Sequence, residues 1–257
     1  MTATDQQRQF PPMAISDLVV LTLVVAFAYS CVAPDYQEAL SQGQISALQA
    51  APDLIDYLGQ GLLLFGLIVL ARQRIRGDLR NLSPGQWIIV AIGPYSVLAL
   101  AGFLFRPLLE AGFPAHRRLV HACDDTAFTL VIGFSILVSW PAARIPEVRW
   151  RICFWLIFLW LLAGALWCAV DAARNFGLIS PTTPVLRHLM AIDVSSQILA
   201  GAAMVAAVSI DASKRVRRDW LHFVGVVALL LLVAHALPTW GGRTARWWQD
   251  LYFHLIP

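Results

Sequence analysis

The chain has 257 residues, 58% of them hydrophobic and only 14% charged, with a mean hydropathy of +0.66. A soluble domain of this size needs more polar surface, so the composition excludes an ordinary water-soluble protein and points to a lipid bilayer. The net charge of +3 rests on 19 basic residues, all but one of them Arg; they lie in short loops rather than in one block, which argues against a nucleic-acid surface.

Seven apolar windows are long enough to enter a bilayer: roughly 16–33, 54–72, 86–105, 119–140, 150–170, 189–210 and 220–237. Backbone in hydrocarbon must satisfy its own hydrogen bonds, so these windows are expected to be helices. The predicted fold is an all-α polytopic membrane protein, a single transmembrane domain over 1–257 with seven spans.

Residues 1–14 form a polar lead. Ser16 and Asp17 can cap helix 1, which ends at Pro34. Ala28–Cys31 has a trace of a lipoprotein cleavage site, but the preceding segment carries a single Arg, so helix 1 is read as a membrane helix rather than a leader. Residues 35–52 read as a short amphipathic surface helix, with Leu40, Ile45 and Leu48 on its apolar side. Helix 2 opens at Pro52 and Asp53 and runs to the Arg72–Arg80 cluster. Ser83-Pro84-Gly85-Gln86 starts helix 3 with an N-cap Ser, a Pro in the first turn and a Gln able to complete a capping box. Pro94 is expected to kink this helix, which ends near Phe105-Arg106-Pro107 before a loop holding His116, Arg117 and Arg118.

Helix 4 carries the adjacent pair Asp124 and Asp125 and ends at Trp140-Pro141. Helix 5 follows Pro146 and Glu147, with Trp150 at the interface. Its aromatic residues Phe154, Trp155, Phe158, Trp160 and Trp167 are read as a lipid-facing belt and packing surface. Helix 6 is rich in Ala, Gly and Ser, which lets backbones approach closely, and is expected to be buried among its neighbours. A basic loop, 211–219, leads into helix 7, which runs from Trp220 to Pro238. The tail, 239–257, mixes Trp, Tyr, Phe and Arg and is expected to lie in the headgroup plane.

A period runs through this order. Asp56, Asp125 and Asp193 are 69 and 68 residues apart, and each is followed four residues later by an uncharged polar residue: Gln60, Thr129 and Gln197. After each Asp-bearing helix come a basic loop and a helix led by Trp87, Trp150 or Trp220. This is read as three repeated helical hairpins, 54–105, 119–170 and 189–237, with helix 1 outside the repeat. With the N-terminus inside, the inner segments hold 12 of the 19 basic residues and the outer segments 7. The positive-inside rule then gives N-in, C-out, with the interfacial tail outside, in a cell membrane of the bacterial inner-membrane type.

Asp56, Asp125 and Asp193 then lie a turn or two below the outer surface. Ionised groups inside a bilayer are costly unless paired or hydrated, so intramembrane acids are functional candidates. The three acids with Gln60, Thr129 and Gln197 are therefore the candidate cation or proton site. The competing reading is structural: Asp near a helix N-terminus is favoured by capping and by the helix dipole, and a duplicated hairpin repeats its caps.

Among the histidines, His121, His188 and His235 fall on the same outer side and form a candidate metal set. His222 and His235 are 13 apart, a two-haem spacing, but no partner His exists at the inner depth; one outer haem, between His235 and His121 or His188, stays open. Cys31 and Cys123 can both lie near the outer face, where a disulfide is open to them in an oxidising compartment, although buried free thiols are the simpler reading. The only lysine, Lys214, is in a loop, and there is no GxSxG, HExxH, P-loop or GxGxxG motif. The sequence thus favours a cation- or proton-linked transporter or channel-like protein over an enzyme. The alternatives are a non-catalytic subunit of a larger membrane complex, and a redox or metal protein with outer His and Asp ligands. The bilayer is the implied partner, with other membrane subunits as further candidates. A cation, a metal or a haem is the candidate cofactor.

Overall fold

The computed structural model describes residues 13–27, 47–75, 82–113, 116–180 and 184–239. Among these the regular structure is helical throughout, with no strand. The helices are α1 (Ile15–Phe27), α2 (Ala47–Ile75), α3 (Pro84–Gly112), α4 (Arg117–Ser139), α5 (Val148–Asn175), α6 (Pro184–Ser213) and α7 (Trp220–Thr239); a 3₁₀ segment, Trp140–Arg144, joins α4 to α5. Five stretches are long and apolar enough to cross a membrane: Leu54–Ile75, Pro84–Gly102, Arg117–Arg144, Val148–Asn175 and His188–Ser213. Two shorter apolar stretches, Ile15–Phe27 and Trp220–Ala236, accompany them. The chain is accordingly a multi-pass membrane protein. The predicted tail, Cys31 and most of the 35–52 segment lie outside the described residues.

Several predicted boundaries move. Helix 3 does not end at Phe105: α3 continues through Pro107 to Gly112. Arg117 and Arg118 are not in a loop but form the first turn of α4. Residues 47–52 belong to α2. Pro94 lies within α3, as expected. At its start, Ser83 is extended and its N–H donates to Gln86 Oε1 at 2.8 Å.

The helices pack as a closed ring. Each of α2 to α7 lies beside its neighbour in sequence, and α2 packs against α7 to close the circuit, with α3 also touching α7. α1 docks on this bundle: Val24 joins the buried core, and Arg72 of α2 reaches Asp17 Oδ1 at 3.0 Å and Ser16 Oγ at 2.9 Å. Asp17 also accepts the Ala14 N–H at 3.0 Å, so this one carboxylate both caps α1 and docks it.

The core is continuous and apolar, with Leu63, Phe65, Ile88, Ile92, Phe154, Ile157, Met204 and Leu229 fully buried. The outside is also apolar. On α4, Leu130, Phe134 and Leu137 follow one another at helical spacing, and Leu137 is 75% exposed. On α5, Ile152, Trp155, Leu159, Leu162 and Leu166 form an exposed stripe while Cys153, Phe154, Ile157 and Leu161 face inward. A continuous apolar exterior of this kind suits hydrocarbon, not water.

The belt assigned to α5 therefore divides. Trp155 and Trp167 are exposed, but Phe154, Phe158 and Trp160 are buried, and Trp150 is not interfacial: it is 0% exposed. α6 is likewise buried on one face only, through Ser196, Ala200, Gly201, Met204 and Ala207, whereas Ala202 and Ala206 are exposed.

Candidate functional site

Helix direction alternates round the ring, so the starts of α2, α4 and α6 gather at the end where α3, α5 and α7 finish. This end holds the predicted acids. Asp56 lies nine residues into α2, Asp125 eight into α4 and Asp193 nine into α6. At 1.5 Å per residue each is about 12–14 Å along its helix, beyond the reach of an N-terminal cap. The capping explanation therefore does not account for their positions.

Their surroundings differ. Asp56 and Asp193 line one cavity of about 260 Å³, together with Tyr95 from α3, Cys168 from α5, Gln197 from α6 and His235 from α7. Trp160, Gly164 and Trp167 form its α5 wall. Gly164 has a role in the fit: a Cβ there would stand 3.3 Å from Asp193 Oδ1, so the missing side chain makes room for the carboxylate. Asp125 is not on this cavity. Its Oδ2 accepts a hydrogen bond from Asn175 Nδ2 of α5 at 3.2 Å. Asp124, one residue earlier and turned by about 100°, faces α3 instead and stands 3.7 Å from Arg106 Nη1.

The polar residues four positions on also diverge. Gln60 donates to Asp56 Oδ2 at 2.7 Å, as the spacing suggests. Thr129 donates to the backbone carbonyl of Asp125 at 2.9 Å and not to its carboxylate. Gln197 donates across to the carbonyl of Leu232 on α7 at 3.0 Å. Of these three i, i+4 pairs, Asp56 and Gln60 alone are joined side chain to side chain.

The histidines do not come together. His121 pairs with Arg106 and stands 3.4 Å from Glu110, His188 is exposed near the start of α6, and His235 is on the cavity. Among the described residues no three His, Cys, Asp or Glu converge to hold a metal ion. The three were grouped by depth, but depth alone does not fix which way a side chain turns. Cys123 is free and exposed, not a buried thiol; Cys153 and Cys168 are free and buried.

Near His121, Glu110 receives Arg106 Nε at 3.1 Å and Arg117 Nε at 3.1 Å, which ties the end of α3 to the start of α4. Partial desolvation pushes the Glu110 carboxyl up, but the Arg106 hydrogen bond and the charges of Arg117 and His121 outweigh it and hold the group below its ordinary value.

The opposite end carries a cluster that the spacing argument missed. Asp211, in the last turn of α6, pairs with Arg149. Its Oδ2 accepts Arg218 Nε at 2.8 Å and Trp150 Nε1 at 3.1 Å. Arg218 also reaches Glu147 at 2.7 Å and lies 6.0 Å from the Trp150 ring. Burial pulls the Arg218 guanidinium down, but its bonds to Asp211 and Glu147 outweigh this and raise it. His222, 1% exposed, meets Trp150 edge-on at 5.0 Å. Its Nδ1 accepts the Gly85 N–H at 2.8 Å, and its backbone N–H donates to Asp219 Oδ1 at 2.6 Å. His222 is thus a core residue and not an interfacial one. These bonds join the starts of α3, α5 and α7 to the end of α6. One signal was present in the sequence: a carboxylate at a helix C-terminus opposes the dipole and needs a cationic partner. For Tyr95 and Cys168 there was none, since neither falls on a repeated position.

Comparison with protein-family models, with curated proteins and with solved structures finds no match.

Proposed function

We propose that the protein carries a cation or a proton across a cell membrane of the bacterial inner-membrane type, by way of the cavity that Asp56 and Asp193 line. In this reading all seven helices span, the Arg72 and Arg218 end faces inward by the positive-inside rule, and the acid-bearing end faces out. One observation carries the reading: two carboxylates, 137 residues apart in sequence, line the same cavity inside an apolar bundle. Neither acid is needed to cap its helix, and intramembrane acids that line a cavity are functional candidates. Asp125, hydrogen-bonded to Asn175, is a supporting residue in this account and not a transport residue.

The test is flux through purified protein in liposomes, followed with a pH-sensitive dye and with labelled monovalent cations. Asp56→Asn and Asp193→Asn are each expected to lower flux at least about tenfold, as loss of one charged partner in low dielectric implies. Wild-type flux retained in both variants would end the reading.

A further inference from the structure

We infer that the cation this cavity takes is a small organic ammonium ion, held between carboxylates and aromatic faces, rather than a bare metal ion; the inference rests on the transport reading above. Two features of the walls bear on the choice. Trp160, Trp167 and Tyr95 come from two helices and line the cavity with Asp56 and Asp193. Aromatic faces attract cations that carry apolar substituents, and the attraction grows when the pair is out of water. The remaining wall is mixed: Ile132, Leu161 and Leu232 suit methyl and methylene groups, beside the polar side chains of Cys168, Gln197 and His235.

A bare ion would need a different lining. Hard cations of the calcium and magnesium type take six or more oxygen ligands at short, fixed distances. Here, among the described residues, no three metal-ligating side chains converge. The cavity, at about 260 Å³, is a little smaller than the usual ligand pocket and suits a compact guest such as a tetramethylammonium or choline-like molecule.

The experiment uses the full chain in lipid nanodiscs and isothermal titration with tetramethylammonium, choline, sodium and potassium chlorides at one ionic strength. Saturable binding of tetramethylammonium or choline is expected, with sodium and potassium giving none over the same range. Trp160→Leu and Trp167→Leu are each expected to weaken ammonium binding about tenfold. The milder Trp167→Phe, at a partly exposed position, is expected to keep most of it and guards against a folding defect. Binding of sodium or potassium without the ammonium ions, or ammonium binding indifferent to both Leu variants, overturns the inference. If inorganic cation or proton flux still depends on Asp56 and Asp193 in that case, the transport reading survives it. If neither flux nor binding depends on those acids, both fall.

Discussion

At the scale of single residues, the three acids are equivalent in spacing and unequal in surroundings. Asp56 and Asp193 share a cavity, while Asp125 accepts a hydrogen bond from Asn175. Asp125→Asn is therefore expected to leave flux within about twofold of wild type and to lower thermal stability modestly, by about 1 kcal/mol for one hydrogen bond; side-by-side flux and melting measurements check it. Gly164 makes a sharper case. Its missing side chain leaves room for Asp193, so Gly164→Val is expected to reduce flux strongly while the protein remains monodisperse in detergent. Unchanged flux in that variant would mean that the Asp193 carboxylate does not sit against α5. The sequence pointed to Asp56, Asp193 and Gln60 because the period placed them. It could not separate Asp125 from the other two, because that difference depends on Asn175, which belongs to no repeat.

At the scale of helices, two sets of contacts hold the elements in register. Gly85 of α3 and Gly225 of α7 lie back to back, and a Cβ on either would overlap the backbone of the other helix. Gly225→Ala is expected to lower Tm, since overpacking costs about 1–3 kcal/mol; a scanning melt in detergent measures it. The Asp211 cluster joins four helix ends, and removing one partner from a largely buried pair leaves a charge behind. Asp211→Asn is expected to cost about 3 kcal/mol, with Arg149 and Arg218 left facing each other. On the other side, Glu110 sits below its ordinary value because of Arg106, Arg117 and His121. A depressed carboxyl contributes stability above its unfolded pKa of about 4.3 and loses it as pH falls through the folded value. Tm is therefore expected to fall on acidification below about pH 4.3 and to do so less in Glu110→Gln; the effect is small because Arg106 and Arg117 are well exposed. Element type was readable throughout, since apolar length alone dictates helices in a bilayer. Ends were less so: α3 runs on to Gly112 and α4 begins at Arg117, where polar residues bridge the two helices through Glu110 rather than marking a loop.

At the scale of the whole molecule, the closing of the ring matters most. Contact between α2 and α7 closes the circuit, and Asp56 thereby comes to share a cavity with α6 and His235. The pairing could not be read from periodicity, which gives three equal units and no account of which faces meet. Buried Trp150 and His222 show the same limit, since their burial follows from packing against Asp211 and Gly85, on helices far away in sequence.

The central claim is that Asp56 and Asp193 meet across one cavity and that Asp125 stands apart. Paired thiols test it directly in liposomes, in a chain whose native cysteines are replaced by Ser. A short bifunctional thiol reagent is expected to bridge Asp56→Cys to Asp193→Cys, seen as a joined peptide after proteolysis between α2 and α6, and to leave Asp56→Cys with Asp125→Cys unbridged. No bridge in the first pair, or equal bridging in both, would contradict the account.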